Sequence, residues 1–282
     1  MRTVVIVGVG LIGGSFAKAL RAAGFDGRMI GVSSPPVLRE ALSLGIVDEA
    51  GTLEEAVPRA DLVYLSQPIL KIIETLDQLS GLVKPHTLVT DAGSTKTEIV
   101  RKAQAVLPHT LFLGGHPMAG RELRGVSASE ADLFRDRTYL LCPSRSEDLQ
   151  RPPAQAFVGL LGRIGAKVHI VAPEAHDRLV ALTSHLPQLA STALASILET
   201  SLGEEDLAAA GPGLLDMTRL SLSPYEMWAD ILETNQQAID VALERYISQL
   251  EQLRLHLCHS AAREIFAQGA AFRARLQDRH AK

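Results

Sequence analysis

A histidine held between two glycines and a proline is the residue of this chain best placed to do chemistry. The stretch LGGHPMAGRELR, residues 113–124, puts Gly114 and Gly115 before His116 and Pro117 after it. Glycine and proline interrupt regular structure, so the pattern predicts an irregular loop that presents the imidazole with a fixed backbone direction. A neutral imidazole, with an unperturbed pKa of about 6.5, can accept a proton near neutral pH, which makes His116 a candidate general base. Taken alone, a histidine is most often a packed or surface residue. The elements around this one give it weight.

The N-terminus opens on an almost unbroken β-branched run, residues 2–7, too short for a helix. It is followed at once by Gly8-Val9-Gly10-Leu11-Ile12-Gly13. This order predicts a buried parallel strand feeding a GxGxxG turn. Gly8 allows the tight turn, Gly10 lets backbone approach a pyrophosphate, and Gly13 lets the next helix press on the strand. That helix, residues 14–23, points its positive end at the phosphates. Dinucleotide binding is therefore expected at Gly8, Gly10, Leu11, Ile12 and Gly13.

Short apolar runs then alternate with helical segments. Strands are expected at 27–32, 61–66, 87–91, 111–113, 138–142 and 167–171. Helices are expected at 37–44, closed by Gly45, and at 69–79, 96–106 and about 153–162. The pattern is that of an α/β, Rossmann-type doubly wound parallel sheet over residues 1–172. Ligands of such sheets sit beyond the carboxyl ends of the strands. Gln67, Pro68, the turn from Asp91 to Lys96, and His116 all follow strand ends, so they are expected to ring one crevice. Beyond residue 172 the strand pattern stops. Residues 173–199 show helical spacing with a kink expected at Pro187, and residues 222–259 read as one or two long amphipathic helices. Residues 173–282 are thus expected to form an all-helical domain, with broad apolar faces buried against a second subunit.

A chain of 282 residues with 46% hydrophobic content can bury two cores. A net charge of −4 without a basic stripe points away from nucleic acid and anionic membranes. No apolar run has the length of a membrane span, and the N-terminus reads as a strand rather than a signal peptide. Two cysteines, Cys142 and Cys258, make no disulfide framework, so a reduced cytoplasmic setting is expected. His256, Cys258 and His259 could share a helix face, but zinc needs further ligands that nothing nearby supplies, and they read as ordinary helix residues. His176-Asp177, opening a helix, reads as a capping and ion-pair position rather than a catalytic one.

Five segments together carry a resemblance. Gly8-x-Gly10-Leu-Ile-Gly-Gly-Ser15, Asp91-Ala-Gly-Ser-Thr-Lys96, Gly114-Gly-His-Pro-Met-Ala-Gly120, Thr183-Ser-His-Leu-Pro187 and Asp216-Met-Thr-Arg219 resemble the prephenate and arogenate dehydrogenase family of tyrosine biosynthesis. The GxGxxG is generic, whereas the Gly114–Gly120 and Asp216–Arg219 segments together are specific. The resemblance implies a Rossmann domain followed by a helical dimerisation domain, a homodimer, and NAD(P)-dependent oxidative decarboxylation that aromatises a cyclohexadienol. It implies that Ser94 hydrogen-bonds the substrate hydroxyl or His116; Ser94 also reads on its own as an N-cap of the helix that follows. Two substrate carboxylates call for a cation, and a bidentate guanidinium suits one of them, so Arg219 is the choice, beside Asp216. On its own Arg219 reads as a surface ion pair. His185 and Gln188 lie on neighbouring turns of the helix expected to roof the crevice, although some relatives carry a histidine where Gln188 stands. Glu122 is a further lining candidate, and also reads as a solvated loop carboxylate. Nothing in the 282 residues reads as an additional regulatory or mutase domain.

The end of the second strand bears on the cofactor. NAD enzymes place an acid there for the ribose hydroxyls, and that acid would repel a 2′-phosphate. Here Gly31-Val32-Ser33-Ser34-Pro35 carries none, and Ser33 and Ser34 can donate to a phosphate. The reading favours NADP over NAD. A β-hydroxyacid dehydrogenase would need a lysine on the first long helix of the second domain, and residues 176–199 contain none. A non-catalytic dinucleotide sensor would need neither His116 nor Arg219.

Overall fold

The computed structural model describes residues 1–120, 123–257 and 260–280. By chain contacts these divide into two units, Met1–Gln236 and Gln237–Lys282.

The first unit runs β1 (Thr3–Val7), α1 (Leu11–Ala22), β2 (Arg28–Val32), α2 (Pro35–Ser43), β3 (Glu49–Ala50), α3 (Leu53–Ala56), β4 (Leu62–Leu65) and α4 (Ile69–Leu79). There follow β5 (Leu88–Asp91), α5 (Thr97–Val106), β6 (Leu111–Pro117), β7 (Thr138–Pro143), α6 (Pro152–Arg163) and β8 (Lys167–Ile170). The remaining helices are α7 (Pro173–Val180), α8 (Leu186–Ser201), α9 (Pro212–Thr218) and α10 (Tyr225–Thr234). In the second unit lie α11 (Gln236–Leu255), which begins one residue earlier, and α12 (Ser260–His280).

The strands form one sheet in the order β3-β2-β1-β4-β5-β6-β7-β8. Its order reverses between β1 and β4, the switch point at which such sheets open a ligand crevice. β1 and β4 are buried on both faces, as expected of strands covered by helices above and below. Phe16 of α1 stacks on Tyr64 of β4 with ring centroids 4.0 Å apart, and the Tyr139 hydroxyl of β7 donates to the Tyr64 hydroxyl at 3.3 Å. This aromatic layer fixes α1 over the switch point.

Two sequence expectations change here. The irregular loop expected at His116 is instead the end of a strand: β6 continues through Gly114, Gly115 and His116, because β7 pairs with it antiparallel and places Leu140 opposite His116. The glycines serve close approach rather than chain breaking, since a Cβ on Gly115 would lie 2.4 Å from the Asp91 carbonyl oxygen. The sheet is thus parallel from β3 across to β6, with β7 entering in the opposite sense and β8 parallel to β7. The irregularity expected at Pro187 falls one turn earlier, where Ala181–His185 form a π turn between α7 and α8. Pro187 sits in the first turn of α8 and cannot donate to the carbonyl of Thr183, inside that π turn.

Candidate active site

The glycine turn between β1 and α1 lines a cleft of about 480 Å³. Gly8, Gly10, Ser33, Ser34, Gln67 and Pro68 all line it, so six of the residues expected to hold a dinucleotide share one cavity. Leu11, Ile12 and Gly13 form the adjoining first turn of α1. A Cβ on Gly13 would meet the Gly8 carbonyl oxygen at 2.3 Å and Ser66 Oγ at 2.5 Å, so only glycine lets α1 press this close. Ser66 Oγ donates to the Gly8 carbonyl at 2.8 Å and ties the two switch-point loops together. Among the described residues, chain neighbours aside, nothing lies within 4 Å of where a Gly10 Cβ would be, which leaves that backbone open to a phosphate.

Along the sheet, β5 and β6 end in a buried polar cluster. The Asp91 carboxylate pairs with Lys96, both fully buried, and also accepts from the Gly93 amide at 2.8 Å and the Gly115 amide at 3.1 Å. The turn from Asp91 to Lys96 is thereby bound to the backbone of the residue preceding His116. His116 is 9% exposed, and its Nδ1 lies 2.9 Å from His176 Nε2. His176 Nδ1 in turn lies 2.8 Å from Asp177 Oδ1. Asp177 accepts further from the backbone amides of Lys96 at 2.7 Å and Thr97 at 2.8 Å.

Electrostatics follow from this packing. Burial, then His176, Lys96 and His185, hold the His116 pKa well below its ordinary value, so the ring is neutral. Burial also lowers His176, against the pull of Asp177. For Asp177, burial pushes the carboxyl up, but its hydrogen bonds from His176, Thr97 and Lys96 outweigh that and keep it ionised. His185, 1% exposed, is pushed down by burial to about 4. Asn235 Nδ2 donates to the Asp177 carbonyl at 2.9 Å and lies 3.3 Å from His185 Nδ1. Trp228 packs edge-on against His185, and its buried indole N–H has no partner among the described residues.

A neutral imidazole at the end of one strand, in a sheet whose first strand feeds a nucleotide-type turn, is the equipment of an alcohol-oxidising enzyme. Residues 16–170 match the family model for the nucleotide-binding domain of prephenate dehydrogenase, and residues 172–269 match that for its dimerization domain. The chain belongs to the prephenate dehydrogenase family. As a member it is an NAD(P)-binding oxidoreductase. The prephenate dehydrogenase of Bacillus subtilis is 33% identical over 94% of this chain and 72% of its own. Among solved structures, the prephenate dehydrogenase of A. aeolicus, in complex with hydroxyphenyl propionate and NAD+, superposes with a TM-score of 0.88 at 33% identity, covering 99% of this chain and 98% of that one. The arogenate dehydrogenase of Synechocystis gives a TM-score of 0.81 at 30% identity, covering 99% of each chain.

Within this prephenate dehydrogenase fold, not all expected site residues gather equally. Ser94 is half-buried in the turn between Asp91 and Lys96, but it does not cap α5, whose N-cap is Lys96. The amides there are taken by Asp177 instead. Gln188 is buried and donates to the Leu220 carbonyl at 2.8 Å, fastening the turn that begins at Arg219 to α8. Arg219 and Asp216 are exposed. Glu122 lies outside the described residues, as do Cys258 and His259. His176 and Asp177 pair with each other as expected, but the capping falls on α5 rather than on their own helix, and His176 also reaches His116. Their contact with His116 spans 60 residues, and no local pattern announces it.

Proposed function

We propose that the protein oxidatively decarboxylates prephenate to 4-hydroxyphenylpyruvate or arogenate to tyrosine, with His116 as the base. The observation that carries this reading is the buried, neutral His116 whose Nδ1 is already engaged, leaving Nε2 for a ligand. The β1–α1 cleft fits the dinucleotide: the Gly8–Gly13 turn would hold the pyrophosphate, and Ser33 and Ser34 the adenosine ribose. A nicotinamide bound there would supply the acceptor for the hydride that leaves ring carbon C4 of the substrate. His116 Nε2 accepts the proton of the C4 hydroxyl as its oxygen becomes a carbonyl. The ring carboxylate leaves as carbon dioxide; its bonding pair enters the ring and drives the carbonyl pair onto oxygen, completing aromaticity, and the resulting phenolate takes the proton back from His116 Nε2. Arg219 anchors a substrate carboxylate, with Asp216 beside it, while Ser94 orients the hydroxyl and His185 and Gln188 close the roof. Burial around His116 strengthens each of these polar contacts.

Residues 1–172 and 173–282 are proposed as the nucleotide-binding and the helical substrate and dimerisation domains, a division supported by family matches that meet between residues 170 and 172. With no acid at the end of β2, the cleft admits a 2′-phosphate, and NADP is the favoured cofactor with NAD accepted. Reduced nicotinamide, followed at its near-ultraviolet band with each cofactor and each substrate, tests the whole reading. Turnover is expected with at least one substrate, NADP giving a kcat/KM no lower than NAD. His116→Asn is expected to lower kcat by roughly 10²–10⁴. Silence with all four pairs overturns the assignment, and a strict preference for NAD overturns the cofactor choice.

A further inference from the structure

The order Asp177, His176, His116 fixes where protons sit. An ionised carboxylate only accepts hydrogen bonds, and the pull of three donors keeps Asp177 ionised. Its contact with His176 Nδ1 therefore requires the proton of that ring to be on Nδ1. A neutral imidazole carries one ring proton, so His176 Nε2 is a bare lone pair. The 2.9 Å contact with His116 Nδ1 then needs the proton on the His116 side. His116 in turn has no proton left for Nε2.

We propose that His176 is a positioning residue: anchored by Asp177, it locks the His116 proton on Nδ1 and keeps Nε2 bare as the acceptor for the substrate hydroxyl. This rests on His116 being the base, as argued above. Without His176 either ring nitrogen can carry the proton, and the Nε2–H form cannot accept one. The chain also serves the charged state. When the hydroxyl O–H breaks and an N–H forms at Nε2, the imidazolium keeps donating through Nδ1 to His176, whose far side faces the Asp177 carboxylate. The other charged or titratable groups acting on His116 are Lys96, already paired with Asp91, and His185. None of these occupies Nδ1.

The proton position is read by long-range proton–nitrogen correlation on protein labelled with ¹⁵N-histidine, in the resting state without ligands, the His116 signals being assigned by their loss in His116→Asn. The expected pattern is a protonated Nδ1 and a bare Nε2. In His176→Phe that pattern is expected to give way to Nε2–H, with kcat down roughly 10–100-fold and KM changed far less. His176→Gln, whose amide oxygen can accept from Nδ1, is expected to restore the Nδ1–H pattern and part of kcat. An Nε2–H resting form in the unaltered protein overturns the proposal. So does an Nδ1–H pattern that survives His176→Phe, whatever happens to the rate, since the effect would then be structural. If the phenylalanine variant does not fold, His176→Gln decides, because loss of the pattern there is equally fatal. The spectrum needs no substrate, so an error in the substrate assignment would leave this measurement standing.

Discussion

Three buried imidazoles, His116, His176 and His185, stay neutral because charging any of them would place a cation in a dry site near Lys96 or one another. That neutrality suits a base that must be unprotonated before it works, and it also couples stability to pH. The folded-state values lie below the ordinary one, so unfolding takes up protons once the pH falls below about 6.5. The contribution is fully present above that pH. It is lost progressively on acidification, down to about 4 for His185. Each group fully in this window contributes a slope of about 1.4 kcal/mol per pH unit. The lowered carboxyl of Asp177 acts in the same direction, but only at more acid pH, below its ordinary 3.8. Melting temperature should therefore hold level above neutrality and decline steadily below it, with a shallower decline in His185→Gln. A melting temperature flat through the mildly acid range would show that these rings are not held neutral by the fold.

Among the elements, α5 depends on a partner distant in sequence. Its first amides are capped by Asp177 from α7, so the helix that leaves the Asp91–Lys96 turn is held in register by the element that also supplies His176. Removing a cap costs about 1 kcal/mol, and removing one partner of a buried charged pair costs more. Asp177→Ala should lose about 2 kcal/mol or more in chemical denaturation, whereas Ser94→Ala should stay within about 0.5 kcal/mol while lowering kcat. Equal losses in the two variants would return the cap to Ser94. The same division between near and far decides which features the sequence makes legible. The strands β1, β4 and β5 and the helix α4 were legible because burial on two faces, or one helical stripe, leaves a local pattern. The cleft residues Gly8, Ser33 and Gln67 were legible because a glycine turn and strand ends sit beside them in sequence. His116 was legible as a residue but not as part of a strand, since its pairing partner Leu140 arrives from β7 and glycines normally argue against strands. Ser94 reads as the cap of α5 from sequence because the actual acceptor, Asp177, lies 80 residues away.

Over the whole molecule, many large apolar side chains of the C-terminal helices stand exposed. Leu207, Leu215, Met217, Leu222 and Tyr225 are more than half exposed in the first unit, and Leu257, Phe266 and Phe272 in the second. Among the described residues no helix is long and apolar enough to cross a membrane, so a bilayer-spanning segment does not account for them. Exposed apolar side chains can mark interfaces, and the dimerization-domain match covers every one of these residues except Phe272, which lies three residues beyond it. A symmetric pair of chains would bury the same residues on both subunits. Light scattering is expected to give twice the 30.3 kDa chain mass at micromolar concentration. The paired substitutions Phe266→Glu and Phe272→Glu place two carboxylates on α12 and should shift that mass toward a single chain, since burying an unpaired charge at an interface costs several kcal/mol. A single-chain mass for the unaltered protein would leave the apolar surface without a partner and remove the homodimer from this reading, while leaving the His116 chemistry within the first unit untouched.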